Sequence, residues 1–557
     1  MNCSLENTNR ADAPPTYLIT RLPSELLHHV FLTSIVDAYC TWDSRRVLYG
    51  RNEETAWILS HICTHWRRIL LGSPKLWAYM VLRPNSCVEK LEAILRRSEQ
   101  ASLCIKYFGY GENWGAPEAS EGHGQLLAAQ THRLLELHVI DIQDPDIPAL
   151  LRPLRGKSLP LLKHLTVNGS NEMEDDEPWV LSDEMPSLRS FVMVSMTMDV
   201  PHAELFQGLD TLILKNCIMG MSLHDLLEAL CNCPTLRFLH LEYLDSRPTH
   251  SEGSEGRQPP QSVNFSHLQH FGLGTQPLPP NNSDMSDILK YVSFPPTTSV
   301  DIALRDRRHF RDLCQICPSL ARIASAQTEL SLELYSSGLR TNFAFLSSPN
   351  HLFRVKWQWY GGLLPTLTLS YIGLLALKFD SLRSLTIAAS SLKELEEQRS
   401  DPWTSIFKQI PSSVTTLTLD VPAHCALDCF KAVGGGPQAS DSIHWHRRGP
   451  TVKAKRLVVL HADKKPYFEA IAWCCDRRDK YGAPIQELEL ITGRRYGGNN
   501  TGDFSFRASK LAIEKNVVNV SYTSSRDYKA RQSRASFSSR IQEFGIPSLM
   551  VLDKVIW

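Results

Sequence analysis

Residues 19–31 read ITRLPSELLHHVF and residues 60–82 read SHICTHWRRILLGSPKLWAYMVL, and these two stretches decide the fold of the N-terminal end. Pro23 suits the first turn of a helix, because its missing N–H needs no partner there. Glu25 places a negative charge at the positive end of the helix dipole. One apolar stripe is formed by residues that pair four apart, namely Leu26, Leu27, Val30 and Phe31. The first stretch therefore predicts an amphipathic helix.

The second stretch belongs to a predicted helix over residues 55–71. Its apolar seam has spacings of 3, 4, 3 and 4 and consists of Ala56, Leu59, Cys63, Trp66 and Leu70. Gly72, Ser73 and Pro74 end this helix. The short segment that follows can fold Trp77 back onto the seam. On periodicity alone, the two stretches indicate a small helical bundle whose tryptophans fill its core.

The order of the residues adds a resemblance to a known family. Three blocks occur in sequence and resemble the F-box, in the form found in large fungal families: Leu22, Pro23, Glu25, Leu26, Leu27, Val30 and Phe31, then Ile62, Cys63, Trp66 and Arg67, then Pro74, Leu76 and Trp77. The resemblance covers residues 19–82. It departs from the family in the connection over residues 37–56, which is longer than usual. Such an insertion is tolerated, because lengthening a flexible loop costs little entropy.

The resemblance implies docking on the adaptor Skp1, and through it on a cullin-RING ubiquitin ligase. A three-helix unit of this size cannot bury all of its apolar side chains, and an exposed apolar patch marks a partner surface. By analogy with the family, the adaptor-binding residues are expected to be Leu22, Pro23, Leu26, Leu27, Val30 and Trp77. Phe31, Cys63 and Trp66 are expected in the core of the module.

From residue 130 onward, the pattern apolar-x-x-apolar-x-apolar recurs. Ten triplets carry it: Leu134/Leu137/Val139, Leu162/Leu165/Val167, Leu188/Phe191/Met193, Leu209/Leu212/Leu214, Leu236/Leu239/Leu241, Leu268/Phe271/Leu273, Leu352/Val355/Trp357, Leu382/Leu385/Ile387, Val414/Leu417/Leu419 and Ile485/Leu488/Leu490. The first six begin 28, 26, 21, 27 and 32 residues apart. In a chain with 43% hydrophobic residues, accidental matches are frequent, so the surroundings of each triplet carry more weight.

Prolines and helical segments surround these triplets. Pro160, Pro186, Pro234 and Pro318 each stand two residues before a leucine, where a proline can end a helix and let a strand begin. Helical spacing occurs in two sets of four residues, Leu223, Leu226, Leu227 and Leu230, and Met285, Ile288, Leu289 and Val292. Strand, loop and helix in cycles of 21–32 residues resemble an irregular leucine-rich repeat. An ordinary α/β domain with such triplets in its strands is the alternative.

The sequence thus predicts an α/β protein with a helical F-box module followed by a leucine-rich-repeat solenoid. Residues 1–18 are expected to be disordered, 19–82 to form the F-box, and 83–129 to form a linker and the cap of the solenoid. The repeat domain is expected over residues 130–557, with loops near 170–187, 245–263 and 431–450. Its strand row would line a concave surface that holds a partner.

Composition excludes several classes of protein. Lys+Arg and Asp+Glu are both 59, so the surface is not built to bind nucleic acid or an anionic membrane. The N-terminal residues lack an apolar run, so no secretory signal is expected, the 14 cysteines are expected to be reduced, and the compartment to be the cytoplasm or nucleus. The uncharged stretch 357–377 is long enough to span a bilayer, but its polar, Gly and Pro residues favour buried strands joined by a turn.

Catalytic and metal-binding signatures are weak. The sequence has no phosphate-binding loop, no Gly-x-Ser-x-Gly and no His-Glu-x-x-His. Cys314 and Cys317 make a single Cys-x-x-Cys, which is weak for zinc. Four candidate ligands, Cys425, Cys429, His444 and His446, are separated by Gly-rich sequence, and buried thiols and surface histidines are the expected interpretation. We expect neither cofactor nor metal.

These features predict a non-catalytic substrate-recognition subunit of a Skp1–cullin–F-box ubiquitin ligase, with an unknown protein substrate. An alternative is a protein-binding scaffold whose F-box-like helices only cap the solenoid. A hydrolase in the C-terminal half is a third reading. An F-box protein contributes proximity, because it raises the effective concentration of the target near the transferring enzyme.

Overall fold

The computed structural model describes the larger part of the chain, in 22 pieces. The described residues are 22–40, 55–84, 86–108, 117–142, 146–169, 185–198, 206–219, 222–246, 262–274, 285–304, 317–337, 341–350, 352–360, 381–390, 407, 410–421, 423–434, 454–460, 465–480, 483–492, 510 and 513–524. The chain divides into two compact units, whose described parts are residues 22–188 and residues 189–524.

The first unit combines helices with a four-stranded parallel sheet. Its elements are α1 (Ser24–Cys40), α2 (Thr55–Ser60), α3 (Thr64–Leu71), a 3₁₀ turn (Pro74–Trp77), β1 (Tyr79–Leu82), α4 (Val88–Arg97), β2 (Leu103–Phe108), α5 (Pro117–Ala128), a 3₁₀ turn (Thr131–Arg133), β3 (Leu134–Ile142), α6 (Asp146–Leu151), a 3₁₀ turn (Arg152–Leu154) and β4 (His164–Gly169). The strands pair in chain order, β1 to β2 to β3 to β4, and every pair is parallel. The expected linker over residues 83–129 therefore contains a strand of this sheet.

The second predicted helix, residues 55–71, is in fact two helices. A turn at residues 61–63 separates α2 from α3. The Sγ atom of Cys63 accepts a hydrogen bond from the backbone N–H of Trp66 at 3.4 Å and so caps α3. Before the turn, the Oγ atom of Ser60 donates to the carbonyl oxygen of Trp57. Such local side-chain bonds compete with the helical pattern, which accounts for the break.

The second unit is a long ladder of strands with helices between them. Its elements are β5 (Ser190–Val194), β6 (Thr197–Met198), β7 (Thr211–Lys215), β8 (Ile218–Met219), α7 (Leu223–Cys231), β9 (Phe238–Glu242), β10 (Asp245–Ser246), β11 (Val263–Asn264), β12 (His270–Gly274), a 3₁₀ helix (Met285–Lys290), β13 (Val292–Ser293), β14 (Ser299–Leu304), α8 (Pro318–Ala326), β15 (Glu329–Ser337), β16 (Thr341–Ser347), β17 (Phe353–Tyr360), β18 (Ser384–Ser390), β19 (Thr416–Asp420), α9 (Ala423–Gly434), β20 (Arg456–Val459), α10 (Lys465–Lys480), β21 (Glu487–Thr492) and β22 (Asn519–Ser524).

Thirteen of these strands form one sheet. Their spatial order is β5, β7, β9, β12, β14, β17, β16, β15, β18, β19, β20, β21, β22. All neighbours are parallel except β17 with β16 and β16 with β15. Short strands make two further small sheets, β6–β8–β10 and β11–β13. The α/β class that the sequence predicts is confirmed, with mostly parallel strands.

The core of this ladder is a continuous row of apolar side chains. The register aligns one residue from each strand: Met193, Leu214, Leu241, Leu273, Ile302, Val355, Leu346, Leu332, Ile387, Leu419, Val459, Leu490 and Tyr522. All are buried except Tyr522 on the last strand. The last two members of all ten sequence triplets lie in strands, so the triplets predicted strands correctly.

Three local predictions need correction. Pro318 begins α8 instead of ending a helix, because a proline at the first helical position needs no N–H partner. The segment from Met285 forms a 3₁₀ helix, and Val292 lies in β13. Residues 431–434 of the expected third loop are the end of α9. Residues 1–18 and 170–184, and most of the stretch 357–377, lie outside the described residues.

Candidate partner-binding surface

Large exposed apolar side chains concentrate in the helical module at the N-terminal end. Eight are strongly exposed among the described residues, and five of them belong to the module: Leu26, Val30, Ile58, Ile62 and Leu71. We call these five the exposed apolar group. The other three are Leu161, Val518 and Tyr522. Because single exposed apolar residues are ordinary but a concentration is not, the module is the candidate partner-binding surface.

The apolar stripe of α1 divides into two rows. Leu27, Phe31, Ile35 and Tyr39 follow one another at intervals of four and are all buried. Leu26 and Val30, also four apart, are 53% and 43% exposed. Residues four apart lie on the same face of a helix, so the first row packs into the module and the second faces away from it.

The structure separates the six predicted adaptor-binding residues into two groups. Pro23, Leu26 and Val30 are exposed and Leu22 is half-buried. Leu27 and Trp77 are 0% and 1% exposed, so both are core residues in this structure and offer no surface to a partner. The expectation for Leu27 and Trp77 is therefore corrected: each packs against the module's own elements. Ile58 and Leu71 are exposed although the sequence pattern did not single them out.

Trp77 lies at the centre of a small aromatic cluster. Its indole Nε1–H donates to the carbonyl oxygen of Leu70 at 2.8 Å, so Trp77 does fold back onto the seam of the preceding helix. Its ring meets the ring of Trp57 edge-on, with the centroids 6.2 Å apart. The guanidinium of Arg97 lies 4.5 Å from the Trp77 centroid and 4.8 Å from that of Trp57. These cation–π contacts from α4 fix the short turn that carries Trp77.

The three residues expected in the core differ in how deeply they are buried. Phe31 is buried, and its ring centroid lies 4.7 Å from that of Trp66, which ties α1 to α3. Trp66 and Cys63 are half-buried. The Nε1 atom of Trp66 is buried without a hydrogen-bond partner among the described residues. Phe31 is thus fully a core residue, whereas Trp66 and Cys63 lie at the margin of the core.

A buried polar network holds the C-terminal end of α1 on the sheet of the first unit. The ammonium of Lys106 on β2 donates to the carbonyl oxygen of Tyr39 and lies 4.3 Å from its ring centroid. The hydroxyl of Tyr39 donates to Glu136 on β3 at 3.3 Å. Burial lowers the pKa of Lys106 and raises that of Tyr39. Helix α1 is therefore anchored at the end opposite to Leu26 and Val30.

The same carboxylate has a second partner. Burial by itself would raise the pKa of Glu136, but a hydrogen bond and the charge from His138 outweigh it, and the net effect lowers the pKa. The His138 Nε2 and Glu136 Oε2 atoms are 3.5 Å apart. A carboxylate that stays ionised can accept the Tyr39 hydroxyl and balance the charge of Lys106, which satisfies the requirement for pairing of buried charges.

Possible metal ligands are sparse among the described residues. Of the four candidate zinc ligands, Cys429 is buried in α9, and His444 and His446 lie outside the described residues. One cluster brings His224, Asp225 and Glu228 within 4.8 Å of one another. Asp225 already accepts from the backbone N–H and the hydroxyl of Ser222 in the capping box of α7, which explains its position.

No protein-family model matches the sequence, and no curated protein shows significant similarity to it. Among the described helices, none has both the length and the apolar character needed to cross a membrane.

Proposed function

We propose that the chain is a substrate-recognition subunit of a Skp1–cullin–F-box ubiquitin ligase. The exposed apolar group carries the proposal, because five large apolar side chains lie exposed within the segment that resembles the F-box. A Skp1-like adaptor would cover Leu22, Pro23, Leu26 and Val30 by helix-in-groove packing. We extend this contact to Ile58, Ile62 and Leu71, because burying them removes the remaining apolar surface of the module from water.

We further propose that the second unit is an irregular leucine-rich-repeat solenoid and serves as the receptor for a protein substrate. Three features support this: triplets that recur at intervals of 21–32 residues, parallel pairing of successive strands, and one aligned apolar row. In a solenoid, each repeat covers the apolar face of its neighbour. The chain would contribute no catalytic group and would act inside the cell, where the ligase works, by holding the substrate near the transferring enzyme.

A pull-down with purified Skp1 tests the proposal. The wild-type chain should retain Skp1, and the double variant Leu26→Asp, Val30→Asp should retain less than about a tenth as much, since two charges would enter an apolar contact. The matched control is Leu161→Asp, Val518→Asp, which makes the same substitutions at exposed positions outside the module. This control should bind like wild type.

Two outcomes would contradict the proposal. If the wild-type chain does not retain Skp1, the scaffold alternative, in which the helices only cap the solenoid, becomes the better account. If both double variants lose binding equally, the loss reflects general solubility and not the module. Circular dichroism of the variants establishes that each has folded.

A further inference from the structure

Tyr39, close to the C-terminal end of α1, contacts one residue on each of three neighbouring strands. Its ring meets the ring of Tyr79 on β1 edge-on, with the centroids 5.6 Å apart. The ammonium of Lys106 on β2 lies 4.3 Å from the centroid of the Tyr39 ring, and the Tyr39 hydroxyl donates to Glu136 on β3 at 3.3 Å. Strands β1, β2 and β3 are adjacent in the sheet of the first unit. The end of α1 is therefore held over the sheet at three separate points.

Lys106 also holds the backbone of α1. The last carbonyl groups of a helix have no partner inside the helix, and the ammonium of Lys106 donates to one of them, the carbonyl oxygen of Tyr39. A cation at this end also meets the negative end of the helix dipole. Lys106 and Glu136 both lie beyond residue 82, where the resemblance to the F-box ends. A cap for the first helix of the module thus comes from a strand outside it.

Charged groups in this place cost free energy of desolvation. Lys106 is 2% exposed, and burial lowers the pKa of its ammonium although the charge of Glu136 acts in the opposite direction. Replacing buried opposite charges by apolar side chains of similar volume is often neutral or stabilising. What the polar groups add is direction, because a hydrogen bond requires a particular geometry whereas burial of apolar surface does not. The network therefore specifies a position more than it adds stability.

The position that needs to be specified is the rotation of α1 about its own axis. Val30 stands nine residues before Tyr39, which is about 2.5 turns of helix, so the two side chains lie on opposite sides of α1. Leu26 stands thirteen residues before Tyr39, roughly 140° from it around the helix. A rotation of about 100°, one residue step, would turn Leu27 outward in place of Leu26. Both are leucines, so apolar packing alone distinguishes poorly between these two rotations.

We propose that Lys106 and Glu136 are positioning residues for the adaptor-binding surface. They hold Tyr39 against the sheet, and this orientation of Tyr39 turns Leu26 and Val30 outward on the opposite side of α1. The inference rests on the proposed function, in which a Skp1-like adaptor covers that side. The adaptor-binding unit then does not end at residue 82, since strands β2 and β3 complete it.

A variant without the polar groups tests the inference in the full chain. Tyr39→Phe, Lys106→Met and Glu136→Leu together remove the hydroxyl and both charges and nearly keep the volume of the three side chains. The midpoint of urea unfolding should stay close to that of the wild type, because the buried charges are removed together. Skp1 binding should weaken at least ~10-fold, since only a fraction of the chains then presents Leu26 and Val30 outward. Residues that served stability alone would not lower the affinity for Skp1 at an unchanged urea midpoint.

A matched control removes a buried polar pair from the other face of the same strand. Tyr107 follows Lys106 on β2, so its side chain points to the opposite face, where its hydroxyl lies 3.4 Å from the Nδ1 atom of His123. Tyr107→Phe with His123→Leu should bind Skp1 like the wild type. Equal loss of binding in this control, or wild-type binding in the triple variant, would overturn the inference. If the triple variant does not fold, Tyr39→Phe alone decides: binding should weaken ~3-fold, and unchanged binding would also overturn the inference.

Hydrogen exchange, measured without Skp1, separates this inference from the proposed function. In the triple variant the amides of residues 33–40 should exchange at least ~10-fold faster than in the wild type, whereas those of β7 and β9 in the second unit should not change. Unchanged exchange at residues 33–40, in a chain that binds Skp1, would overturn only the inference. Faster exchange there, together with no binding of Skp1 by the wild-type chain, would overturn the ligase role and leave the anchoring of α1 standing.

Discussion

The strand ladder buries its aligned apolar side chains, whereas the helical module leaves several of its apolar side chains exposed. In the ladder, twelve aligned apolar residues in succession are buried, and only Tyr522 on the last strand is exposed. In the module, a much shorter segment leaves five large apolar residues exposed. A strand in the ladder gains a neighbour on each side, whereas a three-helix unit has too little interior to cover every stripe. Exposure in the module is therefore a property of its size, and it is the surface that the proposed adaptor would cover.

The largest effect of a single substitution on the free energy of unfolding is expected in the ladder. Phe271 is fully buried and stacks on Phe294, with the ring centroids 5.1 Å apart. Phe271→Ala should lower the free energy of unfolding by ~3–5 kcal/mol, because it removes a large buried side chain and leaves a cavity. Urea denaturation followed by tryptophan fluorescence measures the change. Leu161→Ala, at an exposed position, should change it by less than ~0.5 kcal/mol. A similar effect at both positions would contradict the assignment of Phe271 to the core.

Adjacent leucines in α1 sharpen the comparison inside the module. Leu27 is fully buried and Leu26 is 53% exposed. Leu27→Ala should lower the free energy of unfolding by ~2–4 kcal/mol, and Leu26→Ala by less than ~0.5 kcal/mol. The same denaturation measurement applies to both variants. Should Leu26→Ala be the more destabilising of the two, the two rows of α1 would have to be exchanged.

A smaller change in the free energy of unfolding is expected when the pH is lowered, because His270 then takes up a proton. Burial, and then the positive charges of His240 and Arg354, lower the pKa of His270 to about 4. In the unfolded chain its pKa is ~6.5, so between these two values the unfolded state binds a proton that the folded state does not. Stability is therefore fully present above pH ~6.5 and decreases as the pH falls towards 4.

The variant His270→Gln isolates this contribution. Between pH 7 and pH 5 the wild-type chain should lose about 1–2 kcal/mol more unfolding free energy than the variant. His267→Gln, which changes an exposed histidine nearby, is the control and should lose as much as the wild type. If His270→Gln retains the whole pH dependence, another group is responsible for it.

The strands could be predicted from the sequence because each needs only a local signal. The ten triplets place their last two residues in strands, and the Leu223 to Leu230 spacing corresponds to α7, whose Ser222–Asp225 capping box marks its start. Three further strands carry the same signal and were missed, at Trp77/Met80/Leu82, at Ala454/Leu457/Val459 and at Val517/Val520/Tyr522. For β14 the first triplet position is Thr297, so the apolar pattern is incomplete.

The pairing of strands and the division of α1 could not be predicted in this way. A triplet indicates a strand but not its neighbour, and so gives no sign that β16 is antiparallel to both β15 and β17. Leu26 and Leu27 have the same chemistry and adjoining positions on the stripe. Which of them is buried depends on where α2, α3 and the strands lie, and that is a tertiary contact. The family resemblance, and not the spacing of the residues, assigned Trp77 to the adaptor interface, whereas its indole donates to the carbonyl oxygen of Leu70 inside the module.

The arrangement of β14, β15, β16 and β17 has a consequence for synthesis of the chain. The partner of β14 in the ladder is β17, and Asp301 pairs with Arg354, 53 residues further along. At ~5–20 residues per second, the ribosome needs roughly 3–10 s to supply that partner. During this interval one edge of β14 has no strand to pair with, and such an edge is open to pairing with another chain. The reversal of strand order therefore creates a period of aggregation risk on the ribosome. In this period a chaperone would protect the unpaired edge of β14, whereas slow translation before residue 353 would lengthen its exposure.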